Sequence, residues 1–220
     1  IEQGNTVTVN AGGFLDITGT ILVDGILDVE HEGSVVQRNA AAVTVNEGVI
    51  QVTKTTPVLE DYDFTILGSP MTVETRAGVY TGSAIVRNHI TGNFVAYPNG
   101  VPAADNWADD NGNNWLTHTG LLVPGTGYLV KPQLTGAGSP AAYTTTYTLG
   151  TLNSGSIDFA PLMNGGVQAD SPNILSNPYA SGLNISDFLI GNPDAGGAVY
   201  FWEHRLAPDP GYLGYAPSNY

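Results

Sequence analysis

Gly13-Phe14-Leu15-Asp16-Ile17-Thr18-Gly19-Thr20-Ile21-Leu22-Val23-Asp24-Gly25-Ile26-Leu27-Asp28-Val29 breaks into short extended pieces, separated by glycine and small polar residues. Leu15 and Ile17, Ile21 and Val23, and Leu27 and Val29 stand two apart, so each pair shares one face of a strand while Asp16 and Asp28 take the other. One face is buried and the other wet. Gly13, Gly19 and Gly25 recur at an interval of six, which suits tight corners between strands too short to be helices. The same texture runs from Thr6-Val7-Thr8-Val9 through Ser34-Val35-Val36 and Val43-Thr44-Val45 to Ile50-Gln51-Val52. We read residues 1–56 as a short β-solenoid or roll-like stack, in which neighbouring turns cover each other's apolar side. An antiparallel meander with glycine turns is the alternative.

Lys54-Thr55-Thr56-Pro57 ends this rhythm. Proline fixes φ and lacks an amide donor, so a strand is expected to stop there and a domain seam to follow. Residues 57–220 carry longer runs bounded by turn signals: Tyr62 to Leu67, Gly78 to Arg87, Gly92 to Tyr97, Gly120 to Val130, Tyr143 to Leu149, Gly155 to Phe159, Asn173 to Leu175 and Ala198 to Glu203. Their spacing predicts a β-sandwich-like domain. Only Asn184 to Ile190 reads as a helical turn or two, with Asn184 or Ser186 as its cap. The expected class is all-β.

Composition narrows the function. The 220 residues include 28 glycines and 14 prolines but only 12% charged side chains, with 6 basic against 20 acidic residues and a net charge of −14. Such a balance opposes binding to nucleic acid or to anionic lipid. Cysteine is absent, which removes disulfides, thiol nucleophiles and Cys-based zinc sites. No apolar run approaches the ~18 residues of a membrane span, so membrane insertion is not expected. Ile1 to Asn10 lacks the basic start and apolar stretch of a signal peptide, and we expect one to have been removed. Low charge with abundant Thr, Asn, Ser and Gly fits an exported bacterial surface protein.

Four ordered blocks carry a resemblance. Val52-Thr53-Lys54-Thr55-Thr56-Pro57 with Asp61-Tyr62-Asp63-Phe64 and Leu67-Gly68-Ser69-Pro70 resembles a "VKR…YDYTYWSSPV" signature. Val123-Pro124-Gly125-Thr126-Gly127-Tyr128-Leu129-Val130 is similar to "PGKGYIIR", and Ile174 to Ser181 to "NLIGNPYPSAID". Phe188-Leu189 and Val199-Tyr200-Phe201-Trp202-Glu203-His204 resemble "FL…IYFWTH", and Gly33-Ser34-Val35-Val36-Gln37 resembles a preceding "GASLVQ". Together they resemble the β-rich unit of large secreted, adhesin-like proteins exported by the type IX secretion system of flavobacterium-like bacteria. The departures are Leu67 and Gly68 for Trp-Ser, Thr126 for Lys, and a longer, more acidic link at Ala104 to Asn114. The resemblance implies an extracellular, cell-surface location and a structural or adhesive role, inside a longer chain.

The residues offer few chemical centres. Asp105, Asp109, Asp110, Asn111 and Asn113 surround Gly112 with oxygens that suit calcium. Their spacing is not that of an EF-hand, and a solvated loop of Asx turns uses the same residues. Trp107 and Trp115 flank this cluster and are candidates to stack on sugar rings; Tyr128 and Trp202 read as core. Carboxylates for glycoside hydrolysis are sought in Glu60, Asp61 and Asp63, or in Glu203 with Asp209, but no catalytic constellation accompanies them. His31, His89, His118 and His204 are scattered, and Gly82-Ser83-Ala84 is no nucleophile elbow. Asn177-Pro178-Tyr179 reads as a fixed corner.

The leading expectation is therefore an extracellular, non-enzymatic structural or adhesive segment, with calcium as the one cofactor the residues suggest. Its expected partners are other copies of itself, in a fibre, or neighbouring domains of a longer surface protein. A carbohydrate-binding module that meets glycans through Trp107 and Trp115, with calcium, is the alternative; a fragment of a glycan-degrading enzyme comes third.

Overall fold

A computed structural model describes residues 1–60, 63–81, 83–94, 114–132, 140–165 and 171–201. In chain order the strands are β1 (Thr6–Val9), β2 (Phe14–Ile17), β3 (Ile21–Val23), β4 (Ile26–Val29), β5 (Ser34–Gln37), β6 (Thr44–Asn46), β7 (Val49–Leu59) and β8 (Thr65–Leu67). Helix α1 (Arg76–Val79) precedes β9 (Ser83–His89), β10 (Trp115–Thr117), β11 (Tyr128–Pro132) and β12 (Ala141–Tyr147), and α2 (Ile185–Gly191) lies near the end. The chain is all-β in class, with several sheets and two short helices among the described residues.

The first six strands pair only in parallel. Thr6 lies beside Ile26 and Ile26 beside Val49; Phe14 lies beside Ser34, and Ile21 beside Thr44. The chain thus returns to each of three ladders one turn later, and the step from Ile21 to Thr44 is longer than the step from Phe14 to Ser34. The longer step arises because residues 38–43 link β5 to β6 where residues 18–20 link β2 to β3. The interval of six between glycines is the distance from one corner to the next; the structural repeat is the whole turn.

Burial follows the alternation. Val23, Leu27, Val29, Ile50 and Val52 are fully buried, whereas Leu22, Val45 and Val49 point outward. Corners stack on corners as strands stack on strands. A Cβ at Gly48 would run into the backbone of Asp24 and Gly25, and one at Gly33 into the carbonyl of Val9, one turn earlier. Glu32, with φ of 64°, occupies the left-handed slot that Gly12 fills with φ of 75° one turn before it.

β7 does not stop at Pro57. Its first residues continue the parallel ladder with β4, and from Val52 onward it pairs antiparallel with β12, giving the order β1-β4-β7-β12. Thr55 faces Thr144 and Val58 faces Ala142, so Thr56 and Pro57 together oppose Tyr143 in a bulge. A bulge tolerates the missing proline donor, and the Tyr143 N–H donates instead to Thr56 Oγ1 at 3.0 Å. The expected seam between residues 56 and 57 therefore falls inside one strand.

A second, antiparallel sheet has the order β10-β9-β11-β8. One apolar cluster joins the coil's Val29, Ile50 and Val52 to Met71, Tyr80, Tyr128 and Tyr147 of the following segments. Tyr128 is core, as expected, while Trp202 lies outside the described residues. Asn184 caps α2 by accepting from the Ser186 and Asp187 N–H groups. Several expected strands are absent among the described residues. Gly92 lies in a 3₁₀ turn (Thr91–Asn93), and residues 155–159 are irregular. Side chains hold this irregular chain: Asn153 Nδ2 donates to the carbonyls of Ser69 and Pro178, and Asn177 Oδ1 accepts from the Tyr179 N–H.

If corner stacking fixes the coil, Gly48→Ala destabilises it by about 2–3 kcal/mol, because backbone must move to admit the methyl. Gly19 has open space at the same virtual position, so Gly19→Ala serves as the control with a change below about 0.5 kcal/mol. Thermal unfolding of both variants by circular dichroism checks the contrast.

Candidate functional site

The best-furnished cluster of aromatic and polar groups among the described residues lies where β9 meets β10. Antiparallel pairing sets Trp115 directly opposite His89, so both side chains project from the same face. Their rings lie 4.9 Å apart, edge to face, and Phe94 approaches His89 from 6.3 Å. Asn114 Nδ2 lies 3.3 Å from His89 Nε2, and Thr91 Oγ1 lies 3.5 Å from Nδ1 while donating to the Pro172 carbonyl at 2.8 Å. Asn173 then binds both the N–H and the carbonyl of Leu162. The cluster clamps this later segment onto the end of β9. Trp115 is partly exposed. Trp107, Asp105, Asp109, Asp110, Asn111 and Asn113 lie outside the described residues, so Trp115 is the one member of the sugar and calcium proposals that the structure places.

A second cluster was not legible in the sequence. Glu74 is 1% exposed, yet its carboxylate is fully employed: Oε1 accepts from the Thr75 N–H at 3.0 Å, and Oε2 accepts from those of Thr148 and Leu149 at 2.8 and 2.9 Å. Such a carboxylate is an anchor between the start of α1 and the end of β12, because its lone pairs are spent on backbone. Nearby, Tyr80 donates its proton to the Gly68 carbonyl at 3.1 Å and so accepts from the Tyr147 hydroxyl at 3.0 Å. Burial, the largest cause, pushes the pKa of both phenols up. No local pattern marks this anchor, because two of its three donors, Thr148 and Leu149, stand far along the chain.

The remaining candidates do not converge. The Glu60 N–H donates to Asp63 Oδ2 at 2.8 Å in a local turn; Asp61, Glu203 and Asp209 lie outside the described residues. His31 accepts from the Thr55 N–H, whereas His118 lies beside the Leu121 carbonyl and 4.5 Å from the Tyr128 ring. His204 is outside the described residues. Among the described residues no three His, Asp or Glu side chains gather to hold a metal ion. Burial lowers the Lys54 pKa, and Lys131 lies 5.9 Å from the Phe64 ring. Two clefts, of about 460 and 330 Å³, flank Leu152 to Ser154 where this segment crosses the coil. Asp158 and Arg38 are the charged side chains on their walls, and Arg38 is held by Asp16 at 2.5 Å.

One family model matches residues 1–219, described as a domain of unknown function, DUF8693. The chain belongs to the DUF8693 family. No curated protein and no solved structure matches it.

The buried anchors generate two measurements. Glu74→Gln places an amide nitrogen against backbone donors and costs about 2–3 kcal/mol, read as a lower denaturant midpoint at unchanged slope. Tyr80, Tyr128 and Tyr147 have folded-state pKa values above the unfolded value. Their contribution is therefore intact below about pH 10 and is lost as pH climbs above it. Tyr147→Phe is expected to flatten that alkaline fall in melting temperature.

Proposed function

We propose that this chain is an extracellular, non-enzymatic segment of a bacterial surface protein, exported by the type IX route and serving structure or adhesion. In this reading residues 1–56 make a β-solenoid-like rod and residues 57–220 a sandwich-like body that clasps it through β12. The observation that carries the proposal is the set of three parallel ladders that the chain re-enters on each successive turn. Repetition of one small unit gives length and stiffness without any reacting group. Two motifs of the resemblance support it by their structural work. The Val123 to Val130 block supplies β11, and Asn177 to Ser181 forms a corner whose Ala180 carbonyl accepts from the Val35 N–H of β5.

The partners in this reading are neighbouring domains of a longer surface protein more than further copies in a fibre. A fibre of coils stacked end to end needs two open ends. The late end of this coil is occupied by its own chain: β12 lies on β7, Ala180 binds Val35, and the Gly150 carbonyl accepts from Asn46 Nδ2 at 2.9 Å.

The second reading, a carbohydrate-binding module using Trp115 with Trp107 and calcium at Asp105 to Asn113, rests on the partial exposure of Trp115. Titration with polysaccharides, with and without chelator, separates the two. We expect no saturable change in tryptophan fluorescence and no release of reducing sugar. A chelator-sensitive, saturable shift that Trp115→Ala abolishes would replace the structural reading with glycan binding, and sugar release would make the chain an enzyme.

A further inference from the structure

The early end of the coil is built as a seat. The Ile26 and Glu30 N–H groups donate to the carbonyls of Asn5 and Val9, so in β1 the odd positions serve β4. By strand alternation Thr6 and Thr8 present their N–H and C=O groups outward. The same holds for β2, where Gly13 and Ile17 serve β5 through Ser34 and Arg38, leaving Phe14 and Asp16 outward. Neither edge has a strand beside it among the described residues.

Three observations define what fits there. First, one of the two inner columns is open at this end: Val7 stands over Leu27 and Leu27 over Ile50, with exposures of 36%, 0% and 0%, whereas Val9, over Val29 and Val52, is buried. Second, Gly33 lacks a Cβ where the Val9 carbonyl of the preceding turn sits, and Gly13, one turn earlier, is also glycine although its virtual Cβ meets only the backbone of Asn10, within its own turn. The sequence keeps space at Gly13 for a carbonyl from a turn before it. Third, Ile1 already behaves as the last residue of such a turn. Its carbonyl accepts from the Asp24 and Gly25 N–H groups as the Val23 carbonyl accepts from those of Glu47 and Gly48. The Ile1 amine reaches the Leu22 carbonyl at 2.6 Å, on the outer edge of β3.

We infer that the outer edges of β1 and β2 receive one further turn of coil, running parallel and leading into the place of Ile1. Its chemistry is that of the turns already present: a length close to that of Thr6 through Gly25, apolar at alternate inward positions, uncharged inside and small at the corners. This deepens the structural reading above and rests on it. A second copy does not meet these terms. Its late end is covered by its own chain, so it would offer only its first turn with strands reversed, and Gly13 would face no equivalent of the Val9 carbonyl.

The test extends the full chain by a copy of Thr6–Leu22 placed directly ahead of Ile1. The amides of Thr6, Thr8, Phe14 and Asp16 are expected to exchange about tenfold or more slowly than in the unextended chain, with a higher melting temperature. A scrambled extension gives neither effect. Val7→Lys, mild in the unextended chain, removes the gain in the extended one, since the lysine then lies between turns. Unchanged exchange at those four amides overturns the inference, as does an extension that unfolds the chain. Slow exchange of the same amides in a dimer of the unextended chain also overturns it, in favour of a second copy. Amide exchange reads docking alone, so its outcome is independent of the glycan titration that tests the surface role.

Discussion

Everything in the first part of this molecule depends on backbone stacking directly on backbone at the corners. Parallel ladders demand that consecutive turns stay in phase, and the phase is held where Gly33 and Gly48 let one turn rest on the carbonyls of the turn before. Once the corners are in contact, the inner side chains have no freedom of register: Leu27 lies over Ile50 and Val29 over Val52, each fully buried. A one-residue slip would exchange every inner apolar residue for an outer one. The extra length of the second turn is accommodated between β5 and β6 and leaves the ladders in phase.

The rest of the chain is fastened to this coil by continuity of β7. The strand begins as the third member of a parallel ladder and ends as half of an antiparallel pair, crossing Pro57 on a bulge that substitutes a threonine hydroxyl for the absent amide. Cross-strand hydroxyl pairs, Thr53 with Thr146 and Thr55 with Thr144, reinforce the pairing just after the point where it changes. Coil and body therefore share a sheet and an apolar cluster.

The sequence disclosed what is local. Alternation in Leu15 to Val29 revealed the strands and their buried face, and the Asn184 cap and the Asn177 corner were legible because each acts within a few residues. Distance in sequence hid the rest. Glycines six apart looked like the repeat because corners are easier to see than ladder returns such as Thr6 to Ile26 or Ile21 to Thr44. Pro57 looked like a stop because its compensation, Tyr143, is on another strand. Gly92 and residues 155–159 looked like strands because periodicity cannot distinguish a ladder from a segment pinned by Asn153 and Asn173 side chains. Glu74 was silent for the same reason, since two of its three donors come from Thr148 and Leu149, just past the end of β12.

A catalytic centre keeps at least one polar group underused, so that charge developing on a substrate finds it available. Four polar groups described above are arranged in the opposite way. Both oxygens of Glu74 are consumed by backbone donors, Tyr80 spends its proton on the Gly68 carbonyl and Tyr147 spends its own on Tyr80, and both ring nitrogens of His89 have a neighbour within 3.5 Å. Groups committed in this manner fix where chain segments lie. Among the described residues, β1 and β2 also leave outward amides and carbonyls without a neighbouring strand, beside an apolar column whose end, Val7, is 36% exposed. Backbone of that kind recognises more backbone, and its specificity comes from spacing. In the inference drawn above, that strand edge is what joins a further length of polypeptide.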